Sequence, residues 1–137
     1  MRKLICIVLL TVLCICIAGC GNKADADLWS NALYTEDTQL GSGEKTIYVD
    51  VVTEEKTVTF TIKTDKEMVG DALMEHNLVS GEKGAYGLYV KFVNGIEADY
   101  DKNQSYWAFT KDGESLLTGV DGEKIKADAH YELTYTK

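Results

Sequence analysis

From Thr46 onward, hydrophobic and polar positions alternate. Ile47, Val49 and Val51 take one parity and Tyr48, Asp50 and Val52 the other; after Glu54-Glu55-Lys56, Val58, Phe60 and Ile62 alternate with Thr57, Thr59 and Thr61. Period two on both sides of a polar turn predicts a β-hairpin with one core face and one threonine-rich face toward water. The period then changes. Within Glu67–Asn77, Val69, Ala72, Leu73 and His76 fall at i, i+3, i+4 and i+7, with Met68 widening the stripe, so an amphipathic helix is predicted. Thr64 and Glu67 have the spacing of a capping box, and Asn77 suits the left-handed residue that ends a helix, leaving Leu78 and Val79 to turn back onto the core. Ser80-Gly81-Glu82-Lys83-Gly84 then reads as a loop and Tyr86–Val93 as a strand. Asn94-Gly95 is a type I′ turn, whose two central residues need positive φ, and Ile96–Asp99 is its return strand. Ser105–Thr110 forms another strand, turned at Lys111-Asp112-Gly113-Glu114, with Leu116–Thr118 pairing back. Tyr131, Leu133 and Tyr135 alternate in the last strand.

One amphipathic helix cannot bury its stripe alone and needs a sheet to lie on. Hairpin, helix, short strands and a final strand give an α+β class of β-grasp type: a mixed sheet curled round a single helix, with the last strand beside the first and parallel to it. The chain has no proline, so no strand or helix is ruled out by a missing amide.

The N-terminus follows a different rule. Arg2 and Lys3 precede an apolar run from Leu4 to Ala18. A spanning helix needs about 20 apolar residues, so this shorter run reads as a signal-peptide core. The junction Ile17-Ala18-Gly19-Cys20 resembles the lipobox of bacterial lipoproteins, which implies that residues 1–19 are removed and that Cys20 is lipidated. An ordinary secretory peptide or a short anchor helix is the competing reading. Cys6, Cys14, Cys16 and Cys20 are the chain's four cysteines, so beyond residue 20 there is no disulfide framework, thiolate metal site or cysteine nucleophile. Residues 20–43 read as the lipidated N-terminus and linker. Leu28, Trp29, Leu33, Tyr34 and Leu40 are too apolar for a wholly solvated spacer, so part of this stretch is expected on the domain as an added edge strand; a flexible stalk is the alternative. Residues 44–137 form the domain, a length that suits one core.

Charge narrows the partners. The chain has 14 basic and 22 acidic side chains, a formal net charge of −8, and cleavage before Cys20 would remove two of the basic ones and none of the acidic. That argues against nucleic acid, which demands a basic footprint. It equally argues against broad contact with anionic lipid, so the lipid anchor alone would tie the protein to the extracytoplasmic face of the cell membrane.

The segment Tyr86–Tyr135 carries Tyr86-Gly87, Val93-Asn94-Gly95, Tyr106-Trp107 before a strand and a glycine turn, Gly119-Val120, and a closing strand of alternating aromatics. With the helix and the upstream Leu33-Tyr34-Thr35-Glu36-Asp37, it resembles the C-terminal β-domain of transcobalamin and intrinsic factor, as found in small Gram-positive lipoproteins of unknown function. In the animal proteins this domain closes over cobalamin against a separate helical barrel, which this chain lacks. The resemblance therefore implies a ligand-binding module for cobalamin or a related corrinoid, acting with a surface transporter, a helical partner protein or a second copy. It carries ligand-binding positions onto Tyr86, Gly87, Tyr106, Trp107, Phe109, Leu117, Gly119 and Val120.

The residues themselves support a platform less selectively. Aromatic side chains stack on planar ligands, but strands are rich in aromatics and alternate ones must face the core. Trp107 and Phe109 share one parity, Tyr106 and Ala108 the other; one parity is core and the other is free. Asp99-Tyr-Asp101-Lys-Asn103 starts like a calcium loop, but Gln104 and Thr110 stand where glycine and glutamate are required, so an acidic turn is expected. His76 and His130 sit in no metal-ligand motif; His76 is expected as a packing residue, with a corrin cobalt as the remote alternative for either. No cysteine, nucleophile elbow or triad order points to catalysis, and pairs such as Glu54-Glu55 belong to solvated turns. A non-catalytic module requiring no cofactor is expected. The rival from another class is a structural or adhesive module that docks a surface protein through an exposed sheet edge.

Overall fold

A computed structural model describes residues 28–137. The leader and Cys20, with the lipidation assigned to it, lie outside the described residues. Two sheets and one principal helix make up the described chain. The larger sheet contains β1 (Thr38–Gly41), β2 (Lys45–Val52), β3 (Thr57–Thr64), β7 (Tyr106–Lys111), β8 (Glu114–Ser115) and β9 (His130–Thr136), in the order β1-β3-β2-β9-β7-β8. The smaller, of three antiparallel strands, contains β4 (Val79–Gly84), β5 (Gly87–Val93) and β6 (Ile96–Glu97). Neither sheet closes on itself. The sequence had suggested one sheet; the strands after the helix instead divide between two.

The hairpin is β2 with β3, in a register that sets Ile47, Val49 and Val51 opposite Ile62, Phe60 and Val58, all buried. The last strand lies parallel to β2, with Tyr131 opposite Val49 and Leu133 opposite Val51, as the hairpin-helix-strand order predicts. Both inner rows face Val69, Ala72 and Leu73 of α1 (Val69–Glu75), which belong to the same apolar cluster. A seven-residue helix is far below the about 12–15 residues that hold a helix in water, so this packing is what maintains it.

α1 is shorter than the pattern predicts, and its capping box does not form. Thr64 is the last residue of β3, and its hydroxyl accepts from the Lys66 amide at 2.9 Å. The helix start is satisfied from elsewhere: the Val69 amide donates to the Glu123 carbonyl at 2.9 Å, and the Ile125 amide to the Glu67 carbonyl at 2.8 Å. A tertiary strand-like contact has replaced the local cap. The other end follows the sequence reading. Asn77 has φ 59°, and the amides of Asn77 and Leu78 reach back to the Met74 and Leu73 carbonyls, which is a Schellman ending.

Two strand assignments are corrected. Ser80–Gly84 belongs to β4 rather than to a loop: it pairs with β5 across a bulge at Ser80/Gly81, where a Cβ on Gly81 would lie 1.9 Å from the Tyr89 carbonyl oxygen. Only glycine permits that approach, and the same glycine made the segment read as a turn. The strand returning from β7 is Glu114–Ser115, not Leu116–Thr118; beyond it one bond remains, from the Leu116 amide to the Phe109 carbonyl at 3.4 Å.

The segment ahead of the hairpin is packed. Trp29, in a 3-10 turn at Leu28–Asn31, is buried; its Nε1 donates to Thr53 Oγ1 at 2.8 Å, and Lys56 Nζ lies 5.0 Å from the ring. β1 adds to the sheet edge parallel to β3, and Tyr34 meets Phe60 edge to face at 5.5 Å.

Candidate functional site

β5 of the small sheet faces β7 of the large one, and the space between them is a cleft of about 310 Å³. Its large-sheet wall is Trp107, Phe109 and Leu133, residues of inner parity paired across β7 and β9. Its opposite wall is Leu88, Tyr89 and Val90 of β5. Leu116–Val120 closes one side, leading into a second 3-10 turn at Val120–Gly122.

Asp121 ties the closing side of the cleft to its β5 wall. Its Oδ2 accepts from the Leu88 amide at 2.9 Å, so the 3-10 turn that carries Val120 is tied to the start of β5. Gly87 has φ +108° and lies so close that a Cβ there would be 2.8 Å from the Asp121 carboxylate. Glycine is needed here for both its φ and its missing side chain.

Five of the eight positions implied by the resemblance, Trp107, Phe109, Leu117, Gly119 and Val120, therefore line one cleft. Three do not. Tyr106 has the outer parity of β7 and points away from Trp107, because successive strand residues face opposite sides. Tyr86 is fully exposed in the β4–β5 turn, and Gly87 touches the cleft only through Asp121. The parity question is thereby answered: the Trp107–Phe109 row is the inner one and still borders the cavity. Leu88 and Val90 were missed as lining residues; their half-buried positions on β5 follow from an alternation that sequence alone could not assign to a face.

Trp107 is 8% exposed, and its Nε1 is a buried donor with no hydrogen-bond partner. Tyr135 packs against its ring edge to face at 5.5 Å. Leu117 is fully exposed at the cleft margin, where a bound molecule would cover it.

The remaining candidates are occupied or isolated. Asp99 caps the short helix α2 (Tyr100–Asn103), accepting from the Asp101 and Lys102 amides at 3.0 and 3.3 Å, so the acidic turn is a helix cap. His130 Nε2 lies 3.1 Å from Asp50 Oδ2 on the outer sheet face, whose Oδ1 also accepts from Thr59. His76 packs beside Gly41, but its Nε2 is buried without a partner rather than satisfied. Among the described residues no group of three or more histidine, cysteine, aspartate or glutamate side chains is disposed to hold a metal ion. A second cleft, of about 340 Å³, is lined by Leu28, the Thr53–Glu55 turn, Asn103, Tyr135 and Lys137, and its rim is charged.

An open α+β domain with a cleft between its two sheets, lined mainly by apolar residues, is the class that these features define. Residues 67–137, which include every residue lining the cleft, match the family described as "Domain of unknown function (DUF4430)", and the chain belongs to that family. Among solved structures it is similar to a protein of Ruminococcus gnavus ATCC 29149 whose description proposes metal binding, with 36% identity and a TM-score of 0.65 over 69% of this chain and 98% of that one. It also shares the fold of part of haptocorrin, solved in complex with Cbi: 16% identity, TM-score 0.52, 72% of this chain and 26% of haptocorrin. The chain thus corresponds to about a quarter of haptocorrin's length. No curated protein matches it.

Proposed function

We propose that this protein is a non-catalytic binding module of β-grasp type, lipid-anchored at Cys20 on the extracytoplasmic side of the membrane, whose β5–β7 cleft receives one edge of a planar ligand of the corrinoid class. The observation that carries the reading is the cleft itself, lined mainly by leucine, valine and aromatic residues from both sheets. The order β3-β2-β9-β7, with β9 parallel to β2, supports the β-grasp description. Likeness to the Cbi-bound haptocorrin supports the ligand class through fold alone. A cavity of about 310 Å³ sits at the lower end of the about 300–1,000 Å³ typical of small-molecule sites, too small to enclose a corrin. It would take one edge, and a helical or transporter partner would cover the rest. Metal binding, proposed for the Ruminococcus relative, has no matching ligand cluster among the described residues.

The test is calorimetric titration of the full chain, in phospholipid nanodiscs, with cobalamin and with Cbi. Saturable binding that Trp107→Ala removes is the expected result. Absence of heat at the highest attainable protein concentration would end the reading of this chain as an autonomous corrinoid binder. A protein-docking module is the second reading, favoured by the exposed β4 edge, where Ser80–Gly84 presents an unpaired side. Binding of neither corrinoid would favour it.

A further inference from the structure

We propose that residues 81–90, the outer half of the β4–β5 hairpin, form a flap over the cleft with Asp121 as its latch; that the flap admits a ligand too large for the resting space of about 310 Å³ rests on the binding reading above. The base of the hairpin is fixed. Leu78, Val79 and Val93 are buried, and the Asn94 and Ala98 amides donate to the Leu78 and Lys91 carbonyls, each at 2.8 Å. The outer half is held far less. None of residues 80–90 is fully buried: residues 80–86 are exposed, and Gly87, Leu88 and Val90 are half-buried. The bulge at Ser80/Gly81 separates the halves and interrupts the ladder where a bend would fall. Pairing then continues from Gly81 opposite Val90 to Gly84 opposite Gly87. Among the described residues, one hydrogen bond joins residues 81–90 to the body of the domain: the Leu88 amide donates to Asp121 Oδ2 at 2.9 Å. Gly87, with no side chain, is what lets the carboxylate come that close. Segments with little buried surface open at lower free energy than a core. Against that opening stand the Leu88 and Val90 contacts in the cleft and one bond to a carboxylate, which is worth about tenfold or more in the equilibrium.

Hydrogen exchange resolved by residue, on the full chain in nanodiscs, reads the opening with no ligand present. A two-stranded hairpin away from its core is marginally stable in water, so its cross-strand amides exchange when the flap lifts. Residues 81–90 of the parent are expected to exchange faster than β2, β3 and β9. Asp121→Ala should speed exchange across residues 81–90 by about tenfold or more and leave β2, β3 and β9 unchanged. Leu88 is set aside in that comparison, because the substitution removes its acceptor directly. Asp121→Asn, which keeps an uncharged oxygen for the Leu88 amide, should fall between the two. Equal protection of the hairpin and of β2 and β9 in the parent would overturn the flap. So would no acceleration in Asp121→Ala, or acceleration spread evenly over the chain, the mark of a residue that only supports the fold. Cbi then separates the latch from its use. Its association, followed by stopped-flow absorbance, should speed up in Asp121→Ala; an unchanged rate would overturn entry past the flap. Local acceleration of exchange with no Cbi binding to either chain would uphold the flap and overturn the corrinoid reading instead.

Discussion

Asn94 holds more than its turn. Its φ of 53° serves the β5–β6 hairpin, as Asn-Gly predicts, but the side chain is fully buried and bonds both ways with the Tyr34 backbone, accepting at 3.0 Å and donating at 2.8 Å. Nothing in the sequence links residues 34 and 94, which are brought together only by the fold. Asn94→Ala should destabilise by about 2–4 kcal/mol, combining two orphaned backbone groups with a left-handed alanine. Asn94→Gly keeps the conformation and isolates the hydrogen bonds, so it should cost less. Urea unfolding of both variants checks this through a shifted midpoint at constant slope. The cleft divides the same way. Trp107 and Phe109 could be placed on one row by parity, yet parity could not show that the inner row borders a cavity, nor that Tyr106 faces away from it. Asp121 gave no signal, because its role is a single hydrogen bond to an amide 33 residues upstream.

Elements with a strong period were readable, and those with competing composition were not. β2, β3 and β9 have alternation sustained over their length, and their pairing follows from burying one face. Four of the six β4 residues are glycine or charged, and the strand exists because β5 supplies its partners. α1 lost its first turn for a similar reason: the Glu123 carbonyl takes the Val69 amide that a cap would otherwise serve, and the Ile125 amide holds the Glu67 carbonyl. In the stretch before the hairpin the composition fits a stalk or an edge strand; β1 adds to the sheet beside β3, and Trp29 is buried ahead of it. Trp29→Ala should cost about 3–5 kcal/mol, the usual range for emptying a large aromatic site, and should remove the indole donor to the Thr53 hydroxyl, which keeps only its bond to the Lys56 carbonyl. Trp29→Phe fills most of that space and should cost distinctly less. Equal stability of the parent and Trp29→Ala chains in chemical denaturation would mean that this segment is not part of the cooperative unit.

At the scale of the molecule, an acidic chain encloses its core with phenols as well as hydrocarbon. Tyr131 is the largest fully buried side chain; it stacks on Phe109 at 5.9 Å and pairs with Val49 and Lys111. Burial pushes its phenol above the ordinary tyrosine value; the Lys126 amide, which donates to the phenol oxygen, pulls it partly back, and the Glu123 and Asp112 carboxylates add to the rise. The sign follows from linkage. A phenol held neutral in the fold contributes fully while pH stays below its unfolded value of about 10, and the contribution is lost as pH climbs from there through the folded value. Through Tyr131, stability should therefore not vary with pH near neutrality and should fall above about pH 10, where the unfolded chain begins to release a proton that the folded chain retains. Other tyrosines and the lysines titrate in the same range, so the informative quantity is the difference between the parent and Tyr131→Phe. The variant should lose part of the alkaline slope of unfolding free energy against pH while keeping the stacked ring. Parallel slopes for the two chains would show that the phenol is ionised as readily in the fold as in the unfolded state, against the burial that places it between the two sheets.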